Sequence, residues 1–485
     1  MRVILVIHRY LGVVVGLVMT LWCLSGFVMM YQGYPRLTAG ERQAGLESLR
    51  LQGCCDQALT GITAADRFSD FGIEMLAGRS VLRLAPEAGE PRMYDLTSGR
   101  PIAWVMSSDA LAAGRAYGAG HAVAGRPRLL GLIAKDQWTV EGARGRGPVY
   151  RMGFDDPAGS EIYVAARTGK VVQDTTRAER VWSWFGAIPH WLYPVVLRQN
   201  GQLWSDVVVW TSLIGCFLTV TGLYVGIARF KRYKSGRWSP FRGWFYWHHI
   251  AGLIFGVLTL TWVASGLFTM NPWGFLDSPV GLVERGRLSG AVTGADVARF
   301  LTAARTLNLN NIVEFDAAPL GRRLFVMAVG RDGGAVRLDV DGAPRPLGQA
   351  EMAQAARNIG AAPVASLARL DREDAYYYSG YDFKAVFPVY RARLADAQDS
   401  TFYMDAASGR MVQAVDRTAR ESRWLRTGLH DFDFAWMRRR PVWDLIVLLL
   451  LAGVTGVCIT GSWLGLQRLW RDLSGLKKSS APRLV

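Results

Sequence analysis

Four long apolar stretches constrain the fold of this chain more than any other feature. They run approximately from Tyr10 to Tyr31, Val207 to Phe230, Phe245 to Met270 and Val442 to Leu466. A helix needs about 20 residues to cross a bilayer core of roughly 30 Å, and each stretch is long enough. The first stretch is too long for a signal peptide and has no small-residue cleavage site after it, so we expect a retained anchor. The sequence therefore predicts a membrane protein with four spanning helices.

The composition supports this class and excludes others. Half of the 485 residues are hydrophobic, which excludes a disordered polymer, and five cysteines are too few for a disulfide scaffold. The formal net charge of +16 is compatible with nucleic-acid binding. The basic residues, however, flank the apolar stretches and do not form one soluble face. We therefore expect membrane lipid as a partner and no nucleic acid.

The distribution of lysine and arginine predicts the orientation. The segment 231–244 carries five basic residues and no acidic one, and 467–485 carries five more basic residues. Because short basic loops stay in the cytoplasm, both termini are expected there, and the long segments are expected in the periplasm of a Gram-negative cell, around its inner membrane. The predicted organisation is helix 1 in 1–31, a periplasmic domain with its connection in 32–204, helix 2 in 205–230, a cytoplasmic loop in 231–244, helix 3 in 245–270, a second periplasmic domain with its connection in 271–441, helix 4 in 442–466 and a cytoplasmic tail in 467–485.

The second half of the chain repeats the first at an offset of 240 residues. Pro-Val-Tyr-Arg occurs at 148–151 and again at 388–391, and the pattern from His8 to Gly26 recurs from His248 to Gly266. Other matched pairs, the last two at an offset of 239, are Tyr163 and Tyr403, Trp184 and Trp424, His190 and His430, Arg198 and Arg438, Gly222 and Gly461, and Gly226 and Gly465. So many identities in one register predict a tandem duplication with a pseudo-twofold axis along the membrane normal.

The long segments mix helical and strand-like patterns. Residues 109–117 and 350–358 have helical patterns, whereas 161–165 and 323–329 alternate as strands do. Turns such as Thr168-Gly169 are typical of hairpins. The predicted fold class is an α-helical membrane protein, a four-helix transmembrane bundle from a tandem duplication, with two periplasmic α+β domains.

Two motifs carry a resemblance to a known family. A histidine, three residues, a glycine and an apolar run ending in Ser-Gly, present at 8–26 and 248–266, resembles the PepSY-associated transmembrane family. The Val-Tyr-Arg and Tyr-x4-Ser/Thr-Gly-x2-Val segments resemble PepSY domains. Members that the chain resembles include bacterial inner-membrane ferric-siderophore reductases with b-type haems. The resemblance implies an oxidoreductase with two haem b groups and a periplasmic ferric siderophore, or another Fe(III) chelate, as acceptor.

Five of the six histidines lie at predicted membrane boundaries: His8, His190, His248, His249 and His430. A single interfacial histidine is usually hydrogen-bonded to water or lipid, but two symmetric pairs favour metal ligation, with haem iron as the hypothesis. His8 and His248 lie at the predicted inner ends of their helices, and His190 and His430 precede helices 2 and 4 on the outer side. Inner and outer histidines are separated by most of a roughly 30 Å core and cannot share one iron. We therefore predict axial pairs His8–His248 and His190–His430, with His249 as an alternative to His248.

Glycines and arginines near these histidines fit the same hypothesis. Gly12 and Gly16 lie on the helical face of His8, where they would leave room for a flat macrocycle, although close helix packing explains them equally well. Arg198 and Arg438 each lie eight residues after an outer histidine and are candidate partners for haem propionates; lipid phosphate is the alternative partner. Trp138, Arg144, Arg146 and 376–378 are candidates for an acceptor surface, although aromatic residues more often fill a domain core and scattered arginines more often lie in solvated loops.

The predicted function is electron transfer from the cytoplasmic side, or from quinol, to a periplasmic Fe(III) chelate. The chain has no dinucleotide fingerprint, so a cytoplasmic reductase, flavoprotein or iron–sulfur protein, or membrane quinol, must supply the electrons. Two alternatives remain: a non-redox sensor, assembly or peptidase-modulating protein with PepSY domains, and a metal-chelate transporter. A transporter needs polar groups at mid-depth, and the span interiors contain no Asp, Glu, Lys or Arg. Cys54 and Cys55 are adjacent and are expected to be oxidised together.

Overall fold

The computed structural model describes residues 2–55, 57–140, 147–380 and 383–479, with side chains for 3–474 within these ranges. The chain forms two compact units. We call Met1–Tyr34, Ala178–Asp277 and Glu421–Val485 the helical unit, and Pro35–Arg177 and Ser278–Arg420 the sheet unit.

The helices are α1 Arg2–Met29, α2 Ala39–Ala44, α3 Ser107–Gly120, α4 Arg177–Phe185, α5 Ala187–His190, α6 Val195–Arg198, α7 Gly201–Arg229, α8 Trp244–Thr269, α9 Leu282–Ser289, α10 Gly294–Ala304, α11 Gln349–Ala356, α12 Arg417–Arg423 and α13 Val442–Ser479. A 3-10 turn covers Pro272–Gly274 and a π-helical turn covers Trp424–Gly428. The strands are β1 Arg67–Leu76, β2 Arg79–Pro86, β3 Arg92–Asp95, β4 Arg128–Ile133, β5 Val149–Gly153, β6 Glu161–Ala165, β7 Val171–Thr175, β8 Val292–Thr293, β9 Ile312–Ala317, β10 Phe325–Gly330, β11 Ala335–Asp339, β12 Val364–Leu370, β13 Val389–Leu394, β14 Thr401–Asp405 and β15 Met411–Val415.

The helical unit is built on a bundle of α1, α7, α8 and α13. All four helices are long and apolar enough to cross a membrane, so the four predicted spans are confirmed as helices of that kind. Helix α1 packs against α7 and α13, and α8 packs against the same two helices. Helices α1 and α8 therefore lie diagonally opposite each other. The Asn200 side chain accepts a hydrogen bond from the Leu203 amide and caps α7 at its start.

The sheet unit is organised around a seven-stranded antiparallel sheet. Its order is β11-β10-β9-β1-β2-β3, and β8 also pairs with β1. Strands β1 to β3 come from the first long segment and β8 to β11 from the second. The two segments therefore share one sheet, because pairing β1 with β9 removes the open edge that each would otherwise expose. The sequence pattern did not predict this shared sheet.

Two four-stranded antiparallel sheets complete the sheet unit. Their orders are β4-β5-β6-β7 and β12-β13-β14-β15. Helix α3 packs on the first through Ala110 and Tyr117, and α11 contributes Met352 and Ala356 to the core of the second. The tight turn between β6 and β7 needs Gly169, which has a φ of +68°. Sheets with packed helices confirm the predicted α+β character.

Cys54 and Cys55 form a disulfide between neighbouring residues. Cys54 is buried in the core that underlies the seven-stranded sheet, and Cys55 packs at its margin. The structure thus joins the two cysteines that the sequence predicted to be oxidised together. The other three, Cys23, Cys216 and Cys458, are free.

Candidate functional site

The first histidine pair lies near the amino-terminal ends of α1 and α8. The ring centroids of His8 and His248 are 6.4 Å apart, across the diagonal of the bundle. His8 Nδ1 is 3.0 Å from the Leu218 carbonyl oxygen and 3.4 Å from Thr221 Oγ1, both on α7. His248 Nδ1 is 3.1 Å from Thr460 Oγ1 on α13. Each imidazole is thus fixed by the helix that follows in its own half of the chain.

The second pair lies at the opposite end of the same helices. His190 ends α5, His430 follows the π-helical turn, and their ring centroids are 6.1 Å apart. His190 Nδ1 is 3.2 Å from Ser25 Oγ and 3.1 Å from the Trp22 carbonyl oxygen on α1. His430 Nδ1 is 3.1 Å from Ser265 Oγ on α8. The structure therefore brings together the same two pairs that depth and repeat register indicated.

The separations suit a metal held between the two rings of each pair. A metal–imidazole bond of about 2 Å places two rings that bind one ion from opposite sides roughly 6 Å apart, centroid to centroid. Within the part of the chain that the structure describes, the hydrogen bonds of these four imidazoles run through Nδ1. Nε2 is then the nitrogen that remains for a metal. Two such nitrogens fit a haem, whose macrocycle supplies the other four ligands.

Glycines on the neighbouring helices make room for the imidazoles. A Cβ added to Gly222 would lie 2.6 Å from His8 Cε1, and one added to Gly461 would lie 2.9 Å from His248 Cε1. Both distances are shorter than real Cβ contacts. The two glycines are therefore required for the imidazoles to lie against α7 and α13.

The glycines that follow His8 divide into two kinds. A Cβ added to Gly12, or to its counterpart Gly252, meets no atom within 4 Å. A Cβ added to Gly16 would approach Ser462 Oγ at 3.3 Å, and one added to Gly256 would approach Leu223 at 2.6 Å. Gly16 and Gly256 thus serve helix packing, whereas Gly12 and Gly252, one turn after the histidines, have open space beside them that could take a flat group.

His249 is engaged through both ring nitrogens. Its Nδ1 is 2.9 Å from Ser239 Oγ, and its Nε2 is 2.9 Å from the Gly226 carbonyl oxygen. Since a carbonyl only accepts, Nε2 carries the hydrogen and has no lone pair for a metal. The geometry therefore favours His248 as the partner of His8, and His249 ties the loop between α7 and α8 to the bundle.

The two arginines proposed for propionates have protein partners. Arg198 lies over the rings of Tyr193 and Trp204, with its Cζ 5.1 and 4.5 Å from their centroids. Arg438 Nε is 3.1 Å from Asp433 Oδ1. These contacts account for both positions without a cofactor, so a role with propionates stays a prediction.

Aromatic and thiol side chains fill the bundle between the two histidine pairs. Trp22 and Trp262 pack among buried residues of α1 and α13, and Trp262 Nε1 donates to the His430 carbonyl oxygen at 3.0 Å. Cys23 Sγ and Cys458 Sγ are 3.8 Å apart in the same cluster. Trp22 and Trp262 therefore act as bulky packing residues of the bundle.

Two of the four aromatic candidates for an acceptor surface are buried, whereas Tyr376 and Tyr378 are half-buried. Trp138 is buried, and Tyr377 is buried against Tyr403, with ring centroids 5.1 Å apart. Both are core residues, since domains of this size use large rings to fill their interior. Arg144 and Arg146 lie outside the described residues. The sixth histidine, His121, stacks on Tyr117 within the sheet unit, and its Nδ1 is 2.9 Å from the Tyr117 carbonyl oxygen.

Sequence reasoning missed the hydroxyl groups that hold the imidazoles. Ser25 and Ser265 occupy matching positions of the repeated motif, and Thr221 and Thr460 match at the offset of 239. Matched hydroxyls beside matched histidines were a usable signal. It was not decisive because helix periodicity alone does not specify which α7 or α13 residue faces a histidine of α1 or α8.

The fold and the two imidazole sites define an α-helical membrane protein with an α+β sheet unit and two paired-histidine centres in its bundle. The sequence matches the family model described as the PepSY-associated TM region over residues 5–468. The chain therefore belongs to the PepSY-associated transmembrane family. A search of curated proteins finds no match.

Proposed function

We propose that this protein is a di-haem b oxidoreductase of the bacterial inner membrane that delivers electrons to a periplasmic Fe(III) chelate such as a ferric siderophore. The observation that carries the proposal is the pairing of four histidines at two depths, with centroid separations of 6.4 and 6.1 Å. His8 and His248 would hold one haem b, and His190 and His430 the other. When bound, a bis-histidine haem transfers single electrons, and its filled axial positions leave no site for oxygen or substrate on the iron.

The helix bundle fixes the positions of the two histidine pairs and fills the space between them. Ser25, which contacts His190, follows His8 by 17 positions on α1, or roughly 25 Å along a helix. The two centres are therefore fixed near opposite faces of a bilayer core. Apolar side chains, Trp22, Trp262 and Cys458 among them, pack the space between the two centres. Such an arrangement suits conduction of electrons and not passage of a solute.

The donor and acceptor follow from the charge pattern and from iron chemistry. The basic segment 231–244 favours the cytoplasm, where a flavoprotein, another reductase or quinol would supply electrons to the His8–His248 centre. At the His190–His430 centre the acceptor takes up one electron per iron. Reduction of Fe(III) to Fe(II) weakens its binding by hard oxygen ligands, so the chelate releases the metal.

The proposal is tested by mixing the dithionite-reduced, detergent-purified protein anaerobically with an Fe(III) trihydroxamate. We expect oxidation of the protein's reduced α band and formation of Fe(II), trapped by a ferrous-specific dye. The matched control is the Ga(III) form of the same chelate, which has a similar size and charge but accepts no electron. Equal rates of oxidation with the Fe(III) and Ga(III) chelates, or no oxidation with either, would contradict the proposed acceptor.

A further inference from the structure

We propose that four hydroxyl groups are positioning residues for the histidine pairs: they accept the Nδ1–H of each imidazole and so fix the tautomer that presents Nε2 to iron. We call them the anchoring hydroxyls, namely Ser25, Ser265, Thr221 and Thr460. This inference rests on the proposed haem function and deepens it, because it assigns a group that sets the strength of each axial bond.

The direction of the hydrogen bond at His430 follows from the single hydrogen of the serine hydroxyl. Ser265 Oγ donates to the Trp262 carbonyl oxygen at 3.0 Å. Its oxygen can then only accept from His430 Nδ1, at 3.1 Å. Ser25 repeats the arrangement: it donates to a carbonyl oxygen of its own helix at 2.8 Å and accepts from His190 Nδ1 at 3.2 Å. Both outer imidazoles therefore carry their hydrogen on Nδ1.

The threonines act in the same way at the other end of the bundle. Thr460 Oγ1 donates to the Gly456 carbonyl oxygen at 2.7 Å and accepts from His248 Nδ1 at 3.1 Å. Thr221 Oγ1 donates to its own helix at 2.8 Å and lies 3.4 Å from His8 Nδ1, for which the Leu218 carbonyl oxygen at 3.0 Å is the nearer acceptor. The hydroxyl hydrogen is committed at all four positions, so each imidazole is Nδ1-protonated with a bare Nε2.

Burial makes the outer hydroxyls difficult to replace by water. Ser25 and Ser265 are 1% and 0% exposed. Loss of the Ser265 hydroxyl would leave a buried N–H without a partner, since Ser265 Oγ is the acceptor for His430 Nδ1 among the described residues. His190 differs, because its Nδ1 is also 3.1 Å from the Trp22 carbonyl oxygen. Loss of the Ser25 hydroxyl is therefore expected to affect His190 less than loss of the Ser265 hydroxyl affects His430.

An acceptor on Nδ1–H increases the basicity of the imidazole at Nε2, which stabilises ferric over ferrous iron and lowers the midpoint potential. Removing the acceptor should therefore raise the potential of the iron that the histidine binds. Loss of such an outer-shell partner commonly changes metal binding by 10- to 100-fold. A tenfold loss of preference for ferric iron corresponds to a rise of about 59 mV for one electron.

The test is a redox titration of the full-length, detergent-purified protein, followed by its α bands and assigned with the His190→Ala variant. Ser265→Ala should raise the potential of the His190–His430 centre alone, by about 59 mV or more. The isosteric Thr460→Val should raise that of the His8–His248 centre alone, and Ser25→Ala should have a smaller effect than Ser265→Ala. Because each variant leaves one centre untouched, that centre is its internal control.

Two failures are distinguishable. A wild-type protein that retains no haem overturns the proposed function itself. Two haems per chain with unchanged potentials in both Ser265→Ala and Thr460→Val would leave the function intact and overturn the positioning role. A change in the midpoint potentials of both centres caused by one substitution would also overturn the positioning role. A general change in the bundle, and not a local hydrogen bond, would then be responsible.

Discussion

Glu74 on β1 and Glu314 on β9 are directly opposed in the central sheet. They are only 1% and 3% exposed. The two residues are separated by 240 positions, the offset at which the sequence matches itself. Arg42 bridges them, with Nη1 2.7 Å from Glu74 Oε1 and Nη2 2.6 Å from Glu314 Oε2. The junction between the two long segments is therefore ionic at its centre.

The two carboxyl groups have different surroundings. Arg83 Nη1 is 2.8 Å and Lys170 Nζ is 3.2 Å from Glu74. Burial acts to raise the pKa of Glu74, but Arg83, Lys170 and Arg42 outweigh it and hold this pKa well below its usual range. Burial, together with the neighbouring Glu74 carboxylate, raises the pKa of Glu314 to about 7. Glu314 is therefore the carboxyl group that keeps its proton to the higher pH.

Glu314→Gln should make the stability of the protein less dependent on pH. An acid whose pKa is raised by folding binds its proton more tightly in the folded chain, so the free energy of unfolding falls as the pH rises from about 4.5 to about 7. At about 1.4 kcal/mol per pKa unit, the loss is on the order of 3 kcal/mol. Glutamine has nearly the same shape and cannot ionise. Thermal unfolding between pH 5 and 8 should show a decline for the wild type and a flatter profile for the variant.

Glu74→Gln is the matched control, because it makes the same chemical change in the opposed residue. It removes the carboxylate that Arg83 and Lys170 contact, so it should destabilise the protein at pH 7 and 8, where Glu314→Gln does not. The lowered pKa of Glu74 supplies stability above about pH 4.5 that is lost as the pH falls further. Identical pH profiles for the two variants would contradict the assignment of the proton.

Arg42→Ala should lower the stability of the sheet unit by about 3 kcal/mol, because it leaves two buried carboxyl groups without their shared cation. The apparent unfolding temperature of the full chain measures this loss. Arg299→Ala is the control: Arg299 and Asp341 form an ion pair with side chains 62% and 56% exposed, and such pairs contribute less than about 1 kcal/mol. An equal effect of the two substitutions would show that the Arg42 bridge adds nothing.

Gly12→Leu should reduce haem binding at His8–His248 while leaving the fold intact. A Cβ at Gly12 meets no protein atom within 4 Å, so the larger side chain would enter the space in which we place the haem. We expect loss of more than about half of the haem at this pair, measured from the α bands of protein that elutes normally on gel filtration. Gly456→Phe on α13 is the control. Its counterpart in the first half, at the offset of 239, is Phe217, whose side chain is 51% exposed, so we expect a phenylalanine at this position to be tolerated without loss of haem. Full haem occupancy in Gly12→Leu would mean that the cofactor does not lie beside this glycine.

The Cys54–Cys55 disulfide should contribute little to stability. It closes a ring between adjacent residues, so it removes almost no entropy from the unfolded chain. The double variant Cys54→Ala/Cys55→Ala should unfold within about 1 kcal/mol of the wild type. A loss of about 2–5 kcal/mol, as for structural disulfides that close long loops, would contradict this expectation.

The sequence predicted the features that local patterns determine. Apolar runs of more than 20 residues can form little but spanning helices, and the alternation at 161–165 coincides with β6. The depth of His8 and His190 followed from their places at the ends of such runs. The repeat register then indicated their partners, His248 and His430, because matched positions of two equivalent halves meet near a common axis.

The remaining features depend on contacts between distant segments. Pairing of β1 with β9, and with it the Glu74–Glu314 junction, depends on which edges meet, and alternation does not encode this. The burial of Trp138 and Tyr377 and the engagement of Arg198 by Tyr193 and Trp204 depend equally on tertiary packing. Residue type alone had assigned these side chains to a binding surface and to propionates.

Optical spectroscopy of the detergent-purified protein shows whether the four paired histidines bind haem. We expect a red protein with sharp α bands after dithionite reduction and a pyridine haemochrome value of two haem b per chain. His8→Ala and His190→Ala should each remove one of the two, and not the same one. A colourless protein, or variants of both histidines that retain two haems, would contradict the account.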